Sequence, residues 1–144
     1  RFTRRKGQEI AMVLSPDQEC PATLWTPSLA YPTNGNIRLT DSFLRPDGNK
    51  NSPVEVVHRY SADRRIGLSV KALWAVRTDQ GDGVSISVTL NGHKLATWSG
   101  KGAHSYVSKP LILKTGDQLD FNVGQNGNSV GDVTDYRITL RETR

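Results

Sequence analysis

From Ile66 to Val76 every second residue is apolar. Ile66, Leu68, Val70, Ala72, Trp74 and Val76 fall on one face, and Gly67, Ser69, Lys71 and Arg77 on the other. Alternation with period two is what a half-buried strand requires, because successive side chains point to opposite faces of a sheet. Trp74 is therefore expected in the core. The chain then turns through Asp79–Gly83, where glycines supply positive φ. Val84, Ile86, Val88 and Leu90 alternate with Ser85, Ser87 and Thr89, and Asn91-Gly92 follows. That dipeptide favours a two-residue type I′ hairpin turn, with a return strand from His93 to Trp98.

The same grammar continues. A turn at Ser99–Gly102 leads to a strand over Ser105–Leu113, and Lys114–Asp117 turns the chain again. Leu119, Phe121 and Val123 form an inward row, with Gln118, Asp120 and Asn122 outside. After an Asn/Gly loop, Thr134, Tyr136, Ile138 and Leu140 close a sheet. The first half is less regular. Glu9–Leu14, Asn36–Phe43 and Val54–Tyr60 read as strands, separated by loops rich in Pro, Asn and Gly at Pro27–Gly35 and Arg45–Pro53. Eight or nine short strands with no repeat and no helix predict an all-β, two-sheet antiparallel β-sandwich of jelly-roll type, a single domain over residues 1–144.

A chain of 144 residues can bury a core without staples, and its single cysteine, Cys20, permits no internal disulfide. Cys20 has no partner at metal-ligand spacing and reads as an inert small residue. No run reaches the roughly 18 apolar residues that span a bilayer as a helix. The chain opens on an arginine, and we read it as excised from a larger protein. Its net charge of +5 and pI near 9.6 suggest an anionic partner, such as an acidic polysaccharide, a phosphate backbone or a membrane surface, although the plainer reading of a solvated basic surface carries more weight. The basic clusters are Arg4-Arg5-Lys6 and Arg59 with Arg64-Arg65. They are not interleaved with exposed aromatics on one platform, which argues against nucleic acid.

His58, His93 and His104 stand far apart, and neither a G-x-S-x-G elbow nor a phosphate loop occurs. His58 shares a face with Val54, Val56 and Tyr60 and reads as packing. Asp79, Asp82, Asp117 and Asp120 sit mostly in turns, where Asp bonds nearby backbone. A glycan-cleaving enzyme would need two carboxyls facing one cleft. Asp120, Asn126, Asn128 and Asp132, with Asp135, supply hard oxygen donors in one segment and are the candidate ligands of a structural Ca²⁺. For carbohydrate, Trp25, Tyr31, Trp98 and Tyr106 are the candidate stacking groups, with Asn34, Asn36, Lys101 and His104 as polar partners. Trp98 shares a face with Lys94 and Ala96 and not with Leu95, which allows exposure, although a lone Trp more often packs than serves as a platform.

From Ser61 onward the order of motifs resembles a known family: Gly81-Asp82-Gly83-Val84, Asn91-Gly92, Gly116-Asp117, Asn126-Gly127-Asn128, then Asp132, Thr134 and Ile138. It is similar to the galactose-binding-like, jelly-roll accessory domains of large secreted or envelope-associated bacterial proteins, particularly those of planctomycetes. The resemblance covers about the final 80 residues. It implies a non-catalytic carbohydrate-binding module, secreted, periplasmic or envelope-bound, beside neighbouring domains. The alternative it leaves open is a structural or protein-interaction domain with no glycan ligand. Gly124 and Gln125 stand where such domains often carry an acidic residue.

Overall fold

The computed structural model describes residues 1–15, 28–31, 34–49 and 52–143, with side chains for 1–13, 36–47 and 52–143. Trp25 and Cys20 lie outside the described residues. Fifteen strands are present among them and no helix: β1 Phe2–Arg5, β2 Gln8–Ala11, β3 Val13–Ser15, β4 Ser28–Tyr31, β5 Asn34–Leu39, β6 Phe43–Arg45, β7 Asp47–Asn49, β8 Ser52–Ser61, β9 Ile66–Val76, β10 Val84–Leu90, β11 His93–Gly100, β12 Ala103–Val107, β13 Leu111–Leu113, β14 Gln118–Gln125 and β15 Thr134–Thr143.

They form two antiparallel sheets. One runs β11-β10-β14-β8-β1-β2, with β7 also on β8. The other runs β12-β9-β15-β6-β5-β4-β3, with β13 also on β9. From β8 onward the chain passes back and forth between sheets, the crossing pattern of a jelly roll. The strand count exceeds the expected eight or nine because local chemistry divides the runs. The opening strand expected at Glu9–Leu14 is divided into β2 and β3, and Lys6 and Gly7, with φ of 49° and 78°, turn a further strand, β1, into β2. The Thr40 hydroxyl accepts from the Ser42 and Phe43 N–H groups and ends β5. Pro110, which lacks an N–H, lies between β12 and β13. Pro27–Gly35 was expected to be a loop, yet β4 and the start of β5 fall within it and pair antiparallel.

The long strands match their alternation. β9 has the expected bounds, and Trp74 is 1% exposed between the sheets, its ring 6.4 Å from that of Phe121. Val56, Ile86, Val88 and Val123 face Ile37, Leu39, Leu44 and Val70 across this core. Each large side chain so enclosed contributes on the order of 1.5–3 kcal/mol. A second cluster of Ala62, Ile66, Leu68 and Leu113 closes one end. His58 packs inward as expected, 4.6 Å from the Tyr136 ring, and burial lowers its pKa to about 4.

Asn91 and Gly92 both have positive φ, 51° and 79°, as a type I′ turn demands. A bulge between Val88 and Thr89 shifts the β10–β11 register by one residue. It turns Ala96 and Trp98 toward the sandwich and leaves Lys94 outside. Ring stacking holds that arrangement: Trp98 lies 5.0 Å from His104 with planes 8° apart, and His104 lies 6.4 Å from Trp74. Trp98 is thus half-buried against the core, the packing role that a lone Trp more often takes, and not the exposed platform that its alternation allowed.

Candidate functional site

The outer face of the first sheet carries a polar network. Outward alternation on β14 places Asp120 and Asn122 there, beside Arg59 on β8, Arg4 on β1 and Glu9 on β2. Arg59 donates from Nε to Asp120 Oδ1 at 2.7 Å and from Nη2 to Oδ2 at 2.8 Å. Its Nη1 and Nη2 also reach Glu9, at 3.0 and 2.7 Å. Arg4 donates to Asn122 Oδ1 and to Asp120 Oδ2, both at 2.9 Å. Arg59 also lies over the Phe2 ring, 4.6 Å from its centroid. Asp120 and Asn122 are outward yet buried, 4% and 2% exposed, because these long side chains cover them. Burial alone would raise the Asp120 pKa, but the bonds from Arg59 and Arg4 overcome it and hold it below its ordinary value. The Arg59 bond likewise lowers the pKa of Glu9.

Beside this network an open groove crosses the sheet. One part, about 300 Å³, is lined by Arg4, Lys6, Pro53, Glu55, Ser85 and Gln125. The next, about 520 Å³, is lined by Glu55, Ser85, Ser87, Lys94, Thr97 and Ser99. Glu55 and Ser85 belong to both, so the two are continuous. Gly124 keeps the middle open: a Cβ there would sit 3.2 Å from Glu55 Cγ and 3.4 Å from Ser85 Oγ. Burial raises the Glu55 pKa; Arg4 and Lys94 pull it down, while Asp120 pushes it up. The Glu55–Arg4 separation is 3.8 Å.

The expected sugar contacts are only partly gathered. Trp98, His104 and Tyr106 meet at the β11/β12 side of the sandwich, where they close the core. Lys101, in the turn between those strands, donates to the Asp79 carbonyl at 2.7 Å. Asn36 is exposed on β5, on the other sheet. Tyr31 and Asn34 are paired in the β4–β5 ladder, with backbone alone described. Of the groove's lining residues only Trp98, which borders its second part, was among the expected contacts, and the others were missed as a site. Their signal was weak: Arg4 and Lys6 stand in a basic cluster, and Glu55 and Arg59 take outward positions of β8.

The expected calcium ligands do not converge. Asp120 is bound to two guanidinium groups on the sheet face. Asn126 donates to the Asp82 carbonyl at 3.2 Å, and the Asn128 side chain caps Val130 N–H at 2.9 Å. Asp135 is held by Arg77 at 2.7 Å. Among the described residues no group of three or more His, Cys, Asp or Glu is placed to hold a metal. Asp132 is different. It is fully buried, neither carboxylate oxygen has a hydrogen-bond partner, and its pKa is raised to about 7 by burial and by Asp82, with Arg45 opposing. Its loop interlocks with the Thr78–Gly83 turn. A Cβ on Gly131 would lie 2.6 Å from Thr78 Oγ1, and one on Gly81 1.9 Å from the Val130 carbonyl.

No family model and no curated protein matches the chain. Solved structures similar to it include a Podospora anserina GH26-CBM35 β-(1,4)-mannanase, at 13% identity and TM-score 0.42, covering 99% of this chain and 28% of that one. A carbohydrate-binding module CBM36 in complex with calcium and xylotriose is similar at 15% identity and TM-score 0.33, covering 90% of this chain and 93% of that one. A Kluyveromyces marxianus β-glucosidase is similar at 13% identity and TM-score 0.40, covering 65% of this chain and 11% of that one. This chain therefore spans a small part of the two enzymes. At these TM-scores the likenesses carry no functional weight.

Proposed function

We propose that the chain is a non-catalytic carbohydrate-binding module that seats a polysaccharide in the groove across its first sheet. The observation that carries this reading is the continuous groove of hydroxyl, amide and charged side chains, with half-buried Glu55 at its middle. A sugar chain presents hydroxyl groups that both donate and accept. Ser85, Ser87, Thr97 and Ser99 answer in kind, Glu55 accepts, and Lys94 and Arg4 donate. Asp120 and Glu9, the other carboxylates described on this face, are both bound by Arg59 and Arg4 and are not free to act as base or nucleophile, which supports binding over cleavage. The calcium expectation narrows to a structural ion at Asp132 beside Asp82. The reading implies a secreted, periplasmic or envelope location next to other domains.

A domain that docks on its neighbours is the second reading, favoured by Val107 and Ile112, 70% and 60% exposed on the other sheet. Calorimetric titration with soluble neutral polysaccharides (xylan, mannan and β-glucan) tests the first. Binding that Glu55→Gln and Lys94→Ala each weaken about tenfold supports the groove. Binding that neither variant changes overturns it, and silence with all three shifts the reading to docking.

A further inference from the structure

The outer face of the second sheet has a different electrostatic character. Residues directly opposite in antiparallel strands share a face. Arg137 lies opposite Leu73, Thr139 opposite Lys71, and Arg141 opposite Ser69. The buried row Leu68, Val70, Ala72 and Trp74 points inward, so Lys71, Arg137 and Arg141 all point out. All three are exposed. Lys71 sits diagonally between the two arginines, about 7–8 Å from each at this ladder spacing. Arg137 and Arg141 are four residues apart on one strand, about 14 Å.

Among the described residues these three cations form no ion pair, and only the hydroxyls of Thr139 and Ser69 lie opposite Lys71 and Arg141. Asp135, the acid on the same face of β15, is held by Arg77, whose Nε and Nη2 both donate to its Oδ1. Glu142 alternates to the opposite side of the strand and pairs with Arg64 at 3.3 Å. The first sheet balances Arg4 and Arg59 with Glu9 and Asp120; among the described residues Lys71, Arg137 and Arg141 have no such balance. Like charges on diagonal neighbours repel, which disfavours the arrangement in the free protein. An anion laid across the strands relieves that repulsion.

We infer that Lys71, Arg137 and Arg141 form a second binding surface, for an extended anionic polysaccharide bearing carboxylate or sulfate groups. The inference deepens the carbohydrate-binding reading and rests on it. Charge separations of about 7 and 14 Å suit a polyanion with roughly one charge per sugar; duplex DNA carries one per about 1.7 Å and needs many more contacts. Among the described residues no open aromatic face for base stacking lies beside these cations, since Phe43 on this sheet is covered by Arg77 at 4.6 Å. Leu73 and Val107, exposed beside Lys71, meet the apolar CH faces of sugar rings.

The test is titration of the whole chain with polygalacturonate and heparin at 50 and 300 mM NaCl, with neutral xylan in parallel. Wild type should bind both anionic glycans and lose at least tenfold in affinity between the two salts. The triple variant Lys71→Gln, Arg137→Gln, Arg141→Gln should lose tenfold or more at low salt, with its melting temperature kept and its response to xylan unchanged. A second triple variant, Arg1→Gln, Arg65→Gln, Lys114→Gln, makes the same change in net charge elsewhere and should bind as wild type does. Equal losses in both variants would reduce the face to general basicity and overturn the proposal. So would equal affinity for duplex DNA or phosphatidylserine vesicles, or no binding to either anionic glycan. Loss of xylan binding through Glu55→Gln with anionic binding intact would report on the groove alone.

Discussion

Arg59 grips both carboxylate oxygens of Asp120, at 2.7 and 2.8 Å, with Asp120 almost wholly shielded from solvent. A bidentate guanidinium–carboxylate pair is among the stronger side-chain contacts a protein makes. This one ties β8 to β14 and removes Asp120 from any metal site. Replacing Asp120 with Ala leaves the Arg59 and Arg4 charges facing each other over a half-buried floor. The expected cost is about 3 kcal/mol, read as a shift of the urea midpoint at unchanged slope. Because the folded pKa of Asp120 is lowered, its contribution is present above the ordinary value of 3.8 and is lost as pH falls through the depressed value. Wild type and Asp120→Ala should therefore converge in stability in strong acid.

Asp132 should produce the opposite slope. Its pKa rises from 3.8 in the unfolded chain to about 7 in the fold, so the folded state binds the extra proton across that window. Metal-free protein is expected to lose stability as pH climbs from about 4 to about 7 and to level off above it. Melting scans of wild type and Asp132→Asn across this range check the point, since the amide should flatten that part of the profile. At pH 8, calcium should raise the melting temperature of wild type and leave Asp132→Asn unmoved, with chelator reversing the gain. A wild type indifferent to both additions would remove calcium from the account.

Trp74→Ala should cost about 3–5 kcal/mol, as expected for a large aromatic enclosed between two sheets. Trp98→Ala should cost clearly less, because that ring is half-buried at the edge of the core, where it stacks on His104. Equal urea midpoints for the two variants would contradict the placement of Trp98 at the margin of the core.

Asn91 both turns the hairpin and fastens it. Its Nδ2 donates to Asp117 Oδ1 at 2.9 Å, and its Oδ1 accepts from Gln118 N–H at 2.8 Å. Asn91→Ala removes both bonds and puts a less tolerant residue at φ 51°, so a loss of about 2 kcal/mol is expected. Asn91→Gly, which keeps the turn but not the bonds, should recover part of that loss. Thermal denaturation of the pair separates the two effects.

Gly124→Val should block the groove while preserving the fold. Its φ is not in the left-handed region, and the new side chain meets the flexible Glu55 stem and Ser85. Loss of neutral polysaccharide binding with a melting temperature near that of wild type is the expected result. Retained binding would place the sugar elsewhere.

The long strands were legible from alternation alone, and so was the Asn91-Gly92 turn. β9, β10, β14 and β15 repeat a two-residue pattern that only a half-buried sheet satisfies, and glycine and asparagine mark where positive φ is needed. Alternation reports which side a residue takes; it is silent on what lies across from it. Asp120 and Asn122 took the outward side as expected, yet strand order set Arg4 and Arg59 over them, with 116 and 61 residues separating those partners from Asp120. The bulge at Val88/Thr89 reversed the side of Trp98, a one-residue slip that composition does not announce. The apparent calcium set dissolved for a similar reason. Donors close in sequence were divided between a sheet face, a capped turn and a buried loop, because alternate positions of a strand and its flanking turn point in different directions. Sequence by itself determined an all-β sandwich with a tryptophan in its core. Only the tertiary structure decided where charge is balanced and where it is not, because that depends on strands that meet across the fold and not along the chain.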